Sequence, residues 1–229
     1  MRKTGLTGNQ LKLIALVSMT IDHVGMILFP SNPLFRIVGR LAFPIYAYMI
    51  AEGCRYTRSM PRYLGLLALV AAVCQAVYFV AMGSLYQCIL VTFSLAVGLI
   101  WLVQKALQAK KVRWCLAATV GIVGVFFLTE VLPGLLPGTD FSVDYGFWGV
   151  MLPVCVYYAK NKRLRLVATA VCLALLGKAY GWVQWFALAA LPLLELYNGQ
   201  RGKWKMKYFF YLYYPAHLVA LHLIGLLLN

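Results

Sequence analysis

The first two apolar runs of the chain carry ionisable side chains where a membrane-spanning helix would place them inside hydrocarbon. The run LKLIALVSMTIDHVGMILF (residues 11–29) is long enough to cross a bilayer and contains Asp22 and His23. The next run, FRIVGRLAFPIYAYMIAEG (residues 35–53), contains Arg40 in its interior. Ionisable groups in hydrocarbon cost several kcal/mol unless they are paired or face a wet cavity, so these positions predict chemistry or transport.

Composition is typical of an integral membrane protein. Apolar residues make up 63% of the 229 residues, only 12% are charged, and the mean hydropathy is +0.80. A soluble domain is closer to half apolar and a quarter charged. At about 20 residues per crossing, the apolar runs predict an all-α, polytopic helical bundle of about nine transmembrane helices. We expect it to form a single domain over residues 1–229.

The nine predicted spans follow from the apolar runs and the loops between them. Pro30, Asn32 and Pro33 form a turn between the first two spans, and Pro44 predicts a kink within the second. The spans are expected at residues 10–29, 34–54, 63–82, 86–104, 114–132, 145–159, 166–178, 180–198 and 208–228.

The distribution of positive charge predicts the orientation in the membrane. Seventeen of the 21 Lys and Arg residues fall in the N-terminal segment and in the loops after spans 2, 4, 6 and 8. The positive-inside rule puts these segments in the cytoplasm and predicts a multi-pass protein of the inner membrane with a cytoplasmic N-terminus. Because this asymmetry accounts for the net charge of +15, a nucleic-acid-binding surface is not expected.

The six cysteines predict neither a disulfide framework nor a metal site. They are scattered, nearly all within apolar runs, and show no C-x-x-C spacing. We expect buried thiols that pack as small hydrophobic groups. The sequence also lacks a P-loop, a Rossmann glycine pattern, G-x-S-x-G and H-E-x-x-H, so no metal ligand set or soluble nucleotide-hydrolysing site is expected.

Asp22 and Arg40 are predicted to form a buried ion pair. With a rise of 1.5 Å per residue, both lie about 3–6 Å outside the bilayer midplane, on antiparallel spans joined by a short turn. Pairing offsets the cost of burying either charge alone, and a purely structural pair is the alternative reading. His23 and Asp22 point about 100° apart on the helix, so they do not readily hydrogen-bond to each other.

Further polar groups are expected within the spans. His217 lies near the middle of span 9, beside Tyr211, Tyr213 and Tyr214, and is either a functional group or a hydrogen-bonded packing residue. The tyrosines are either part of the site or an interfacial aromatic belt. Gln184 is one of several polar residues inside other spans.

Three passages form motifs that can be compared with known families: NQLKLIALVSMTIDHVG (residues 9–25), GRLAFPIYAYMIAEGCRYT (39–57) and FYLYYPAHL (210–218). Together with DYGFWGVMLPVCVYYAKN (144–161), they resemble the TraX family, named for a conjugal-transfer protein that acetylates the N-terminal amine of pilin. That family is in turn similar to the transmembrane acyltransferases, which include the acyltransferase-3 proteins and the lysosomal heparan glucosaminide N-acetyltransferase.

The resemblance implies an acyltransferase that moves an acetyl or other acyl group from cytoplasmic acyl-CoA to an amine or hydroxyl acceptor. The acceptor would be a pilin-like N-terminus or an envelope glycan, and acetyl-CoA would be the co-substrate. The catalytic set that the resemblance implies is His23, Asp22, Arg40 and His217. The set assigned to acyl-CoA is Glu52, Arg55 and Arg58, although Glu52 could instead cap its span against Arg55.

The expected mechanism gives each group a role. His23 acts as general base or briefly carries the acyl group. Arg40, held by Asp22, stabilises the developing oxyanion. His217 protonates the leaving thiolate or orients the acceptor, and Glu52 gates or orients CoA. Lys and Arg side chains on the cytoplasmic face pair with the CoA phosphates.

Two other function classes stay open. A small transporter or proton-coupled carrier would use the same intramembrane charges as a path for an ion or solute. The sequence shows no inverted repeat and no paired broken helices in corresponding halves, which such a carrier would favour. A non-enzymatic assembly factor of a secretion or conjugation system is the third class. In every case the lipid bilayer is an expected partner.

Overall fold

The chain folds into helices joined by short loops. The computed structural model describes residues 4–204 and 207–228, with the backbone alone at 81, 82, 207, 208, 211, 222, 226 and 228. A π-helical turn (Phe127–Val131) joins α6 to α7, a 3-10 helix (Trp182–Ala189) leads into α10, and these ranges contain no β-strand. The α-helices are α1 (Gly8–Leu28), α2 (Pro33–Gly39), α3 (Ala42–Tyr56), α4 (Met60–Met82), α5 (Ile89–Ala109), α6 (Val112–Phe126), α7 (Leu132–Leu135), α8 (Gly146–Tyr158), α9 (Lys162–Tyr180), α10 (Ala190–Glu195) and α11 (Lys207–Leu228).

The helices gather into two compact units. The first unit consists of Met1–Met49 and Ala159–Asn229; in it α2 and α11 pack on α1, and the 3-10 helix packs on α2 and α9. The second unit is Ile50–Tyr158, in which α4, α6 and α8 pack on α5. All four predicted catalytic residues belong to the first unit, and the three residues assigned to acyl-CoA belong to the second. The expectation of a single functional domain stays a prediction.

Five helical stretches of the described chain are long and apolar enough to cross a membrane. They are Gly8–Leu28, Pro33–Tyr56, Met60–Val80, Ile89–Ala109 and Val112–Leu135, which correspond to predicted spans 1 to 5. Predicted spans 6 and 8 correspond to the shorter apolar stretches Gly146–Tyr158 and Trp182–Glu195. The all-helical, multi-pass architecture is therefore confirmed. The number of nine crossings and the cytoplasmic N-terminus stay predictions.

The second predicted span is broken before Pro44 rather than kinked at it. Helix α2 ends at Gly39, Arg40 forms its C-cap, and α3 begins at Ala42. A proline ring clashes with the carbonyl group four residues earlier, here that of Arg40, and proline has no N–H to donate to it. Pro44 therefore lies in the first turn of α3, where no helical N–H is required, and Arg40 lies at the break.

Two loops of the second unit are paired with each other. The carboxylate of Asp140 accepts hydrogen bonds from the hydroxyl of Ser84 at 2.5 Å and from the backbone N–H of Leu85 at 2.8 Å. These two hydrogen bonds hold the pKa of Asp140 below its ordinary value, because they favour the ionised carboxylate. The backbone of Gln87 adds a further hydrogen bond to the carbonyl of Ser142 at 2.8 Å. The pairing anchors the loop that precedes α8.

The six cysteines form no disulfide with one another; four are buried, Cys155 is half-buried and Cys115 is exposed. The expectation of buried thiols is wrong for Cys115, which is exposed on α6. Gly121 of the same helix packs against α5, where an added Cβ would lie 3.0 Å from the side chain of Leu102. Cys115 lies about 120° around the helix from Gly121, and so it points away from that contact.

Candidate functional site

Two glycines allow α1 and α2 to approach each other closely. A Cβ added to Gly25 of α1 would overlap the side chain of Phe35, and one added to Gly39 of α2 would overlap the side chain of Asp22. The carboxyl group of Asp22 therefore packs directly against the backbone of α2. Ser18 of α1 closes the same contact by donating its hydroxyl to a backbone carbonyl of α2 at 2.7 Å. We call this line of contact the α1–α2 seam.

Asp22 faces two arginines of α2. Its Oδ2 accepts a hydrogen bond from Nη1 of Arg36 at 3.0 Å, and its Oδ1 lies 3.7 Å from Nη2 of Arg40. The ion pair predicted between Asp22 and Arg40 is present, but the hydrogen-bonded partner is Arg36, one helical turn earlier. Two guanidinium groups and one carboxylate together carry a net positive charge. This charge would stabilise negative charge that develops nearby during a reaction.

Gln184 joins this group from the 3-10 helix. Its Oε1 accepts a hydrogen bond from Nη1 of Arg40 at 3.2 Å, and the residue is only 2% exposed. Its Nε2 donates to none of the described residues. A buried polar group left without a partner costs about 1–3 kcal/mol, so the position of this amide requires an explanation. We refer to Asp22, Arg36, Arg40 and Gln184 as the Asp22 cluster.

His23 and His217 form a second group, on the face of α1 that packs against α11. Nδ1 of His23 lies 2.8 Å from Nε2 of His217, and Nδ1 of His217 lies 2.8 Å from the carbonyl oxygen of Tyr213. His217 is 8% exposed. Because adjacent helical residues diverge by about 100°, Asp22 reaches α2 whereas His23 reaches α11.

The hydrogen bonds of this pair fix which nitrogen atoms carry protons. A carbonyl oxygen only accepts hydrogen bonds, so Nδ1 of His217 must carry a proton. In a neutral His217, Nε2 then holds a lone pair and accepts the hydrogen bond from Nδ1–H of His23. Nε2 of a neutral His23 is therefore unprotonated, and no described residue hydrogen-bonds to it. The pair presents one basic nitrogen.

Aromatic packing restrains the imidazole of His217. The ring of Tyr213 stacks on it, with centroids 5.1 Å apart and an interplanar angle of 11°. The hydroxyl of Tyr213 lies 2.7 Å from Oγ1 of Thr20, which donates its own proton to the carbonyl of Leu16 at 2.9 Å. Tyr213 is therefore the donor to Thr20, and this bond ties α11 to α1. Tyr214 packs edge-on against both imidazoles.

Glu52 and Arg55 form an ion pair in the second unit. Nη1 of Arg55 donates to Oε1 of Glu52 at 3.0 Å. Nη2 of Arg55 donates to the carbonyl groups of Val156 and Tyr157 at 2.6 and 2.5 Å, in the last turn of α8. These hydrogen bonds satisfy carbonyl groups at a helix C-terminus and favour the reading in which Glu52 caps against Arg55. The role of both residues in binding acyl-CoA stays a prediction.

Arg58 has the most accessible side chain of the three residues assigned to acyl-CoA. It is exposed in the loop between α3 and α4, and its side chain makes no hydrogen bond or ion pair with the described residues. An anion could therefore reach its guanidinium, and its pairing with a CoA phosphate stays a prediction. Among the described side chains, no group of three His, Cys, Asp or Glu residues could hold a metal ion.

Sequence reasoning does not predict two members of the Asp22 cluster as site residues. Arg36 lies four residues before Arg40, and this spacing places both on one helical face, so it could have been identified. Gln184 gives no such signal, because it is 144 positions from its partner Arg40. Of the tyrosines predicted beside His217, the side chain of Tyr211 lies outside the described part of the chain.

Both groups of the site lie in a stretch of sequence that matches a known family. The sequence model of the TraX protein family matches residues 7–225. The chain is similar to the probable fimbrial assembly protein FimC, serogroup H1, of Dichelobacter nodosus, at 24% identity over 249 residues that cover 96% of each chain. It is similar to an uncharacterized protein of Rickettsia prowazekii (strain Madrid E) at 45% identity over 38 residues, which are 17% of this chain and 15% of that protein. No solved structure matches.

Proposed function

This chain belongs to the TraX protein family, and we propose that it is an integral membrane acyltransferase that moves an acetyl group from acetyl-CoA to an amine or hydroxyl acceptor. The observation that carries the proposal is the His23–His217 pair, whose hydrogen bonds leave Nε2 of His23 unprotonated. The residue before His23 on α1, Asp22, holds two guanidinium groups. A base beside fixed positive charge is the combination that acyl transfer requires.

In the proposed first step, Nε2 of His23 acts as general base. It takes a proton from the acceptor amine while the amine nitrogen attacks the carbonyl carbon of the thioester. The proton on Nδ1 of His23 then passes to Nε2 of His217, whose Nδ1–H already donates to the carbonyl of Tyr213. His217 carries the positive charge without any movement of the rings, and the carbonyl oxygen stabilises it.

Negative charge develops on the acyl oxygen during this attack, and Arg40, which is held by Asp22 and Gln184, stabilises it. The effect is large where water is scarce, because electrostatic interactions strengthen as the local dielectric constant falls. In the second step, the C=O bond forms again and the C–S bond of the thioester breaks. The CoA thiolate leaves with the proton from the imidazole pair, which returns to its neutral state. A short-lived acyl-histidine at Nε2 of His23 is the alternative route.

The proposed acceptor is a pilin-like protein. The similar protein from Dichelobacter nodosus is named for fimbrial assembly, and this favours a protein amine over an envelope glycan. Acetyl-CoA would bind from the cytoplasm, where the phosphates pair with basic loop residues such as Arg58. The proposed location is the inner membrane, with these loops on the cytoplasmic side.

Radiolabelled acetyl-CoA added to membranes that carry the chain tests this proposal. We expect label to move to a protein or glycan acceptor, and His23→Ala to reduce the transfer by about 10²–10⁴-fold at equal amounts of folded protein. Gln104→Ala, in α5 of the other unit, is the matched control and should transfer at the wild-type rate. A folded His23→Ala protein with full transfer would overturn the role of His23. Solute uptake into sealed vesicles without acetyl transfer would favour a carrier, and neither activity would favour an assembly factor.

A further inference from the structure

The Asp22 cluster holds a hydrogen-bond donor that the described fold does not use. Nε2 of Gln184 is buried and has no hydrogen-bond partner among the side chains that the structure describes. A guanidinium group only donates, so Oε1 of Gln184 must be the atom that faces Arg40. The orientation of the amide is thereby fixed, with its donor end directed away from Nη1 of Arg40.

We propose that Nε2 of Gln184 binds the carbonyl oxygen of the acyl group, beside the guanidinium of Arg40. This inference rests on the proposed function, because that function brings a thioester carbonyl to the cluster. A carbonyl oxygen has two lone pairs and can accept one hydrogen bond from the amide and one from the guanidinium. Negative charge builds up on this oxygen as the amine attacks, and both hydrogen bonds strengthen at that moment.

The burial of Gln184 favours a neutral ligand over an anion. Gln184 and Ala187 are one turn of the 3-10 helix apart and share one face, and both are buried, as is Ala190 at the start of α10. A phosphate or carboxylate group would lose its hydration in such a position. A thioester carbonyl is neutral when it binds and gains charge only in the transition state, which is where a fixed donor accelerates a reaction.

Two substitutions test which role of Gln184 matters for the reaction: hydrogen-bond donation from Nε2 to the acyl oxygen, or the hydrogen bond that Oε1 accepts from Arg40. Gln184→Glu keeps an oxygen for Arg40 and removes the N–H donor at almost the same shape, whereas Gln184→Met removes both. Gln104→Glu, in α5, is the control for an added carboxylate, since its side chain makes no hydrogen bond with the described residues. Initial rates of acetyl transfer are measured in membranes and normalised to folded protein by size-exclusion chromatography.

We expect both Gln184 variants to lose about 10²–10³-fold in kcat, as when one oxyanion donor is removed, with little change in the KM for acetyl-CoA. If Gln184→Glu retains the wild-type rate, Gln184 at most positions Arg40 and the subsite is overturned, while the proposed function stands. A wild-type chain that transfers no acetyl group contradicts the proposed function itself and the subsite with it.

A measurement on the wild-type chain covers the case in which the variants do not fold. The carba(dethia) ketone analogue of acetyl-CoA keeps the acyl carbonyl group in place but cannot be cleaved, and S-ethyl-CoA lacks the acyl carbonyl group. We expect the ketone to inhibit transfer at about a tenfold lower concentration, which is the effect of one good hydrogen bond. Equal inhibition by the two compounds would overturn the subsite.

Discussion

Nε2 of His217 lies 2.8 Å from Nδ1 of His23, and this contact joins residues that are 194 positions apart in the sequence. The first and last helices of the described chain therefore share one proton-carrying unit. The carbonyl of Tyr213 accepts the hydrogen bond from Nδ1 of His217 and thereby makes His23 the donor and His217 the acceptor in the neutral pair. The proposed chemistry depends on the pair rather than on either imidazole alone.

The first prediction concerns this shared unit. We expect His23→Ala, His217→Ala and the double variant to lose acetyl transfer to a similar extent, about 10²–10⁴-fold each. Residues that act as one unit show non-additive losses, because either single change already removes the function of both. Initial rates with radiolabelled acetyl-CoA measure the three losses. A double variant whose loss equals the product of the single losses would show that the two residues act independently.

The second prediction concerns the α1–α2 seam. Gly39→Ala places a methyl group where the side chain of Asp22 lies, and we expect a loss of stability of about 1–3 kcal/mol from overpacking. Gly65→Ala in α4 is the matched control, because a Cβ there meets nothing within 4 Å and alanine favours the helix. The apparent Tm of each variant, measured by size-exclusion chromatography after heating, makes the comparison. Equal Tm values for Gly39→Ala and Gly65→Ala would contradict the close contact between α1 and α2.

The third prediction concerns the ion pair of the second unit. Arg55→Gln leaves the carboxylate of Glu52 buried without its charge partner, and we expect a loss of about 3–5 kcal/mol. The double variant Glu52→Gln, Arg55→Gln should recover part of this loss, because no buried charge is then left unpaired. Thermal inactivation of the purified variants gives the order of their stabilities. A double variant less stable than Arg55→Gln would contradict this account.

The fourth prediction concerns Arg58, which lies in the loop after α3 and contrasts with Arg55 in the last turn of that helix. We expect Arg58→Gln to keep the stability within about 0.5 kcal/mol, since the side chain is exposed. It should raise the KM for acetyl-CoA, and more at low ionic strength than at high, because salt screens the attraction between a cation and a phosphate. Steady-state kinetics at two salt concentrations measure this. An unchanged KM at low salt would remove Arg58 from the acyl-CoA site.

The fifth prediction concerns the pairing of the loops at Asp140. The pKa of Asp140 is lowered in the folded loop, so its carboxylate stabilises the pairing at pH values above its ordinary pKa of about 4. The stabilisation is lost as the pH falls through the lowered pKa. We expect the hydrogen-exchange protection of residues 84–88, corrected for intrinsic rates, to fall in acid. In Asp140→Asn the protection should be lower at neutral pH and nearly independent of pH.

Most of the helices could be predicted because apolar length is a local property of the sequence. The five candidate spans correspond to the first five predicted ones, and the Asp22–Arg40 pair follows from helical rise and a short turn. The break before Pro44 also follows from a local rule, the clash of a proline ring with the carbonyl of Arg40. The contacts of His217 and Gln184 could not be predicted, since they depend on how distant segments pack.

The glycines at 25 and 39 have a consequence for how molecules gain access to His23. Because not even a methyl group fits between α1 and α2 at these positions, neither an acyl tail nor an acceptor peptide can enter along that flank. The entrance for both substrates must then be formed by other surfaces around α1. Cross-linkers placed along α11 or the 3-10 helix, rather than along α2, are the ones that should capture an incoming substrate.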